Sequence, residues 1–200
     1  MQGLGEPYLF DELNDYSRVA IGMGYKTMTI TNGTIPIHEC AFHKIIFSID
    51  TLDKSRYYDM RGGEIGLVIN NLLYCISQKW PVEINTVKTI YNTPEDIVEL
   101  KSFAKRHNIP INIVPCEVWV DPCHKDYTKR YDEALQSCLL HGDDPKIIGT
   151  RSFACEWGLT SIYYDCNGFM HPCCIRMTDE YIIDDIETYD FKKCCVRCPL

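Results

Sequence analysis

Positive charge is in short supply in this sequence: 20 Lys and Arg face 28 Asp and Glu, for a formal net charge of -8 and a pI near 5.2. So acidic a chain is repelled by nucleic-acid phosphates unless a local basic patch overrides the total, and no segment gathers Lys and Arg into one. Long apolar runs are missing too, since polar residues break every apolar stretch well short of a membrane span. Nor does the start show the basic and then apolar regions of a secretory signal. These absences exclude nucleic acid and membrane as expected partners and make the cytoplasm the expected compartment. In a reducing compartment the twelve cysteines do not read as a disulfide framework, which leaves metal or cluster ligation as their leading use.

The cysteines divide the chain. Cys40, Cys75, Cys116, Cys123 and Cys138 are scattered, whereas Cys155, Cys166, Cys173, Cys174, Cys194, Cys195 and Cys198 crowd the last quarter. Two domains are expected, residues 1–150 and 151–200, and 200 residues suffice for one α/β domain with a small appendage. In the first, residues 10–24 carry Leu13, Tyr16, Val19 and Ala20 at helical spacing. The β-branched runs 26–33 and 43–50 read as buried strands, the first closed by Asn32-Gly33. Ile65, Val68, Ile69, Leu72, Leu73 and Ile76 then line one helical face. A strand over 81–90 follows, after which Thr93-Pro94-Glu95-Asp96 offers an N-cap, a proline at the first helical position and a carboxylate three residues past the cap. That helix runs to about Asn108 before Pro110, and 111–120 is another strand.

Strand and helix in alternation, with apolar strands that do not alternate with polar residues, predict a parallel sheet packed by helices, as an open sheet or a barrel arc. Ligand groups in such folds gather at the C-terminal ends of the strands. Glu6, Asn32, Ser48 and Asp50 fall at that edge, with Asn85 inside the next strand. Taken singly, each reads as a turn residue or a cap; their sharing of one rim is what points to a ligand.

In the tail, Asn167-Gly168 between two short β-rich runs predicts a hairpin that carries Cys173 toward Cys155. Cys195-x-x-Cys198 adds a pair whose thiolates leave a tight turn together, and four thiolates complete a tetrahedral site. Such a set serves zinc and iron–sulfur alike. His124 and His171 lie near cysteines but read as surface or turn residues.

Family resemblance bears on the choice. The tail resembles the SPASM or twitch domain of radical S-adenosylmethionine enzymes, in the one-cluster, twitch-like form or as a SPASM domain truncated at its end, and the resemblance implies an auxiliary 4Fe-4S cluster on Cys155, Cys173, Cys195 and Cys198, with Gly168 in the hairpin. The front resembles the same family. "GLGEP" is similar to its glycine-rich motif after the second barrel strand, which implies that Gly5, Glu6 and Pro7 meet the methionyl amino group of S-adenosylmethionine. "TITNGT" resembles the end of the third strand, with Asn32, and "IIFSIDTLDKSRYYDMRGG" resembles the fourth strand with its loop and helix. The resemblance implies Ser48 and Asp50 near the ribose and Arg61 near the carboxylate. The fold expected is therefore α/β, a partial parallel (β/α) barrel followed by a small cysteine-rich domain with a β-hairpin.

One departure matters most: the CxxxCxxC loop whose cluster cleaves S-adenosylmethionine does not occur in these 200 residues. The first barrel strand, cluster loop and first helix are expected to be missing, through truncation, gene splitting or a misplaced start, so the S-adenosylmethionine site is incomplete. The expected function is the C-terminal portion of a radical oxidoreductase acting on a peptide or protein side chain, inactive alone and completed by the missing N-terminal segment or a complementary chain. The alternative is a non-catalytic fragment or binding module whose tail holds an iron–sulfur cluster or zinc.

Overall fold

The computed structural model describes residues 5–89, 91–115, 163–164, 169–171, 182–185 and 188. The chain forms two compact units, Met1–Glu117 with Leu135–Lys146, and Val118–Ala134 with Ile147–Leu200. Each is described by itself.

The first unit opens on a single tight turn, Pro7–Leu9, leading to α1 (Leu13–Gly22). The strands β1 (Met28–Thr31), β2 (Lys44–Ser48), β3 (Val82–Lys88) and β4 (Ile111–Pro115) pair in that order, all parallel. Helices α2 (Lys54–Arg61) and α3 (Ile65–Ser77) fill the β2–β3 crossover, and α4 (Pro94–Arg106) fills the β3–β4 crossover. The β1–β2 crossover has no helix. Ile37 and Phe42 enter the core from it instead, and cover that part of the sheet.

Burial along the strands alternates, contrary to the non-alternating pattern expected. Thr29, Thr31, Ile45, Phe47, Ile49, Val82, Ile84 and Thr86 are buried on one face, whereas Ile30, Ile46, Ser48, Glu83, Asn85 and Val87 are half-buried on the other. Among the described residues, helices cover only the first face, as in a barrel wall, and the second keeps polar residues. Ser48 pairs in register with Asn85 and Asn85 with Asn112, and Asn112 Nδ2 donates to Asn85 Oδ1 at 3.0 Å.

The helices follow their sequence signals closely. In α3, Ile65, Val68, Leu72 and Cys75 are buried against the sheet while Ile69, Leu73 and Ile76 pack at its margin; each fully buried aliphatic side chain contributes about 2 kcal/mol. α4 begins with a complete capping box: Thr93 Oγ1 accepts from Asp96 N at 3.2 Å, and Asp96 Oδ2 accepts from Thr93 N at 2.7 Å. It ends at Arg106, earlier than expected, because Asn108 takes a left-handed conformation (φ 52°) ahead of Pro110. Helix α1 departs most from expectation. Leu13 and Ser17 face the core, with Ser17 Oγ donating to Ala41 O (2.5 Å) and accepting from Thr27 Oγ1 (2.8 Å), while Tyr16 and Val19 stay exposed.

In the second unit, β5 (Tyr163–Tyr164) and β6 (Met170–His171) pair antiparallel, Tyr163 opposite His171 and Tyr164 opposite Met170. Ile183 N donates to Met170 O at 2.8 Å, and both Ile183 and His171 are buried. Asn167-Gly168 and the four proposed cluster ligands, Cys155, Cys173, Cys195 and Cys198, lie outside the described residues, as does the chain over 116–120.

Candidate functional site

Parallel pairing carries the ends of β1, β2 and β3 to one rim. There the chain before α1 folds back on β1. Glu6 caps the Pro7–Leu9 turn through Tyr8 N (3.2 Å), and the same Oε1 accepts from Thr31 Oγ1 at 2.6 Å. Its Oε2 accepts from Asn32 N at 2.8 Å. Three donors therefore occupy a carboxylate with about four acceptor positions, and one on Oε2 remains. Gly5 is exposed with φ +133°, a conformation that favours glycine, and Pro7 supplies the fixed φ of the first turn position.

Beside Glu6, Asn32 Oδ1 accepts from Thr34 N (2.8 Å) and Thr34 Oγ1 (2.6 Å), so Asn32 shapes a turn. Gly33 completes it at φ 74°, where an added Cβ would stand 2.8 Å from Phe47 Cδ1 and from Val68 Cγ1. Glycine is needed here for both reasons. The turn is pinned to α3 by Asn71 Nδ2, which donates to Gly33 O at 2.8 Å.

Asp50, just past β2, is buried and accepts three hydrogen bonds. Its Oδ1 accepts from Val87 N (2.8 Å), and its Oδ2 accepts from Arg61 Nε (2.8 Å) and Nη2 (2.5 Å). Arg61 spends two of its five N–H groups on that contact and keeps 28% of its side chain exposed, so the outer edge of the guanidinium is open. Ser48 is half-buried, and its hydroxyl has no hydrogen bond among the described residues. Asn32, Asp50 and Arg61, with Thr34, Tyr57, Met60, Gly63, Thr89 and Tyr91, line a cleft of about 410 Å³. Burial pushes the Tyr57 phenol upward, keeping it neutral. A second cleft, about 390 Å³, lies at the opposite end of the strands beside Trp80 and His107; its ion pair, Lys44–Glu83 at 2.7 Å, is closed on itself.

Sequence reasoning missed the residues that hold the rim together. Asn92, 3% exposed, accepts from Thr89 N (2.8 Å) through Oδ1 and donates through Nδ2 to Val87 O (2.9 Å) and Asp50 O (3.2 Å). Asp96, read only as part of a cap, also accepts from Thr51 Oγ1 (2.6 Å) and Arg56 Nη2 (2.8 Å), tying α4 to the loop after β2. Only the turn-forming character of "YNTP" hinted at either.

Burial of Asp96 works to raise its pKa, but the bonds from Arg56, Thr51 and Thr93 outweigh it and hold the carboxyl below its ordinary value of 3.8. A depressed folded pKa means that the stability from this group is present above 3.8 and lost as the pH falls through the folded value. D96N is expected to cost about 3 kcal/mol at pH 7, since it removes the charge from the hydrogen bonds to Thr51, Arg56 and Thr93, or about 10 °C in Tm. Urea unfolding would show the gap from wild type narrowing below pH 4; a gap that persists undiminished at pH 3 would refute the charge-based account.

Among the described residues, no group of three or more His, Cys, Asp or Glu is placed to hold a metal ion, and no helix is long and apolar enough to cross a membrane.

No protein-family model and no curated protein sequence matches this chain. Solved structures do. SuiB of Streptococcus suis, solved bound to S-adenosylmethionine, aligns with a TM-score of 0.59 at 18% identity, over 90% of this chain and 49% of SuiB. A domain of pyruvate-formate lyase-activating enzyme from Bacteroides vulgatus aligns with a TM-score of 0.50 at 14% identity, over 72% of this chain and 94% of that domain. The chain thus spans about half the length of SuiB. At these identities the likeness is one of fold, and it agrees with the parallel four-stranded sheet and the helices on one face. The chain has the α/β partial-barrel fold of radical S-adenosylmethionine enzymes.

Proposed function

We propose that this chain is the C-terminal portion of a radical S-adenosylmethionine oxidoreductase that modifies a peptide or protein side chain, with an auxiliary 4Fe-4S cluster on Cys155, Cys173, Cys195 and Cys198. The observation that carries it is the charge pattern of the rim: a guanidinium that lines the cleft, Arg61, and a carboxylate bonded to the cleft-lining Asn32, Glu6, each retain unused hydrogen-bonding capacity. An amino acid zwitterion needs that pair. Glu6 would take the ammonium group at its remaining Oε2 position and Arg61 the carboxylate at its outer edge, while Asp50 holds Arg61 in place. The open Ser48 hydroxyl fits a ribose hydroxyl, and the backbone at Gly5 and Pro7 borders the amino group. A reduced 4Fe-4S cluster, when bound, supplies the electron that splits S-adenosylmethionine to give the 5′-deoxyadenosyl radical. The peptide substrate rests on the resemblance of the tail.

Support for a completing segment comes from α1 and β1. Among the described residues β1 pairs only with β2, and a parallel edge is a liability unless something covers it. Tyr16 and Val19 of α1 with Met23 just past its end, three and four residues apart, form an exposed apolar stripe, extended by Phe10, whose ring lies 5.6 Å from that of Tyr16. Exposed apolar patches mark interaction sites. A parallel strand followed by an amphipathic helix fits both features.

Equilibrium dialysis tests the cofactor reading. S-adenosylhomocysteine keeps the ammonium and carboxylate, whereas 5′-methylthioadenosine lacks both, so the first is expected to bind at least tenfold more tightly, one charge-assisted hydrogen bond contributing about 1.5–3 kcal/mol. Equal affinities would sink the assignment of Glu6 and Arg61.

A further inference from the structure

The cleft has an aromatic wall that the reading above leaves without a role. Tyr91 is 53% exposed, lines the cleft with Thr89, and stands in the turn between β3 and α4. Next to it is Asn92, whose amide is almost wholly withdrawn from water and has its three hydrogen bonds directed at three backbone groups: Thr89 N–H, Val87 C=O and Asp50 C=O. These bonds join the ends of β2 and β3 to the turn. The Thr89 hydroxyl accepts from Tyr91 N at 3.2 Å, and the Thr93–Asp96 capping box fixes the far side of the turn onto α4. A buried asparagine with its donors and acceptor matched allows one backbone arrangement, because any shift strands a buried amide. The turn, and with it the exit direction of the Tyr91 side chain, is held from both sides.

We propose that Tyr91 is a binding residue that stacks on the purine ring of the ligand, and that Asn92 is the positioning residue that sets Tyr91 for it. The proposal rests on the reading of the cleft as an S-adenosylmethionine site. A half-exposed phenol ring on the wall of an open cleft of about 410 Å³ offers a flat apolar face, to which a purine is complementary. The Tyr57 ring on the same cleft is 1% exposed and belongs to the core, which leaves Tyr91 as the aromatic face open to a ligand among the lining residues.

Equilibrium dialysis of the 200-residue chain with radiolabelled S-adenosylmethionine tests it. Y91A is expected to weaken binding about tenfold, in keeping with base–aromatic stacking, and Y91F to bind as wild type does, because the ring and not the hydroxyl makes the contact. N92A is expected to weaken binding about tenfold as well. The double variant is expected to be no weaker than N92A, because Asn92 acts through Tyr91. Should N92A fail to fold by circular dichroism, N92D takes its place: it keeps the acceptor for Thr89 N–H and loses the two donors. Additive losses, roughly a hundredfold in the double variant, would make Asn92 merely structural and overturn the coupling. Unchanged binding by Y91A would overturn the stacking contact. Failure of the wild-type chain to bind at all would overturn the cofactor reading itself and this proposal with it, a result distinct from the other two.

Discussion

Incubated with S-adenosylmethionine and a strong reductant, the 200-residue chain is expected to yield no 5′-deoxyadenosine above a no-protein control, and a strand–helix segment carrying CxxxCxxC is expected to restore cleavage. Cleaving the cofactor takes a cluster held by three thiolates with one iron left open, and no trio of cysteines in this sequence has that spacing. The rim groups proposed to bind the ligand, Glu6 and Arg61, are a carboxylate and a guanidinium, and neither delivers an electron. The effect is all-or-none, so chromatography of the quenched reaction reads it directly. Restoration should depend on the exposed stripe: placing aspartate at Val19 and Met23 is expected to abolish complementation while leaving the isolated chain folded, both side chains being more than 60% exposed. Product from the 200 residues alone would mean that another cysteine set holds the catalytic cluster.

The second large effect is in the tail. Anaerobic reconstitution is expected to load one 4Fe-4S cluster, about four irons per chain, and replacing both Cys195 and Cys198 by serine to abolish loading, since half of the thiolates are lost. C40S and C75A together are expected to leave it intact. Burial raises the Cys40 thiol and pushes that of Cys75 up to about 12, so both stay protonated at neutral pH, and a protonated thiol is a poor ligand. Iron and sulfide analysis with electron paramagnetic resonance distinguishes the outcomes. Tight zinc without iron uptake would replace the cluster by a structural zinc site, and loss of iron from C40S/C75A would move the ligand set out of the tail.

Some of this was legible from local pattern. The face of α3, the capping box of α4 and the succession of strands along the chain were readable, because each depends on residues within a few positions of one another. The Asn167-Gly168 hairpin signal agrees with the antiparallel pairing of β5 and β6 on either side of it. The stripe on α1 misled, since spacing shows that Tyr16 and Val19 share a face with each other but not which face meets the sheet.

By itself, then, the sequence determined the α/β class, the elements, and the gathering of Glu6, Asn32, Ser48 and Asp50 toward strand ends, because period, caps and turn residues are local properties. Tertiary structure alone decided what each rim group has left to give. Asp50 is buried against Arg61 and Val87, Glu6 stays half-buried with one acceptor position beyond Tyr8, Thr31 and Asn32, and Asn92 and Asp96 became keystones. The reason is physical. A polar side chain is free or spent according to donors and acceptors brought from 25 to 45 residues away, and that pairing exists only once the sheet has assembled.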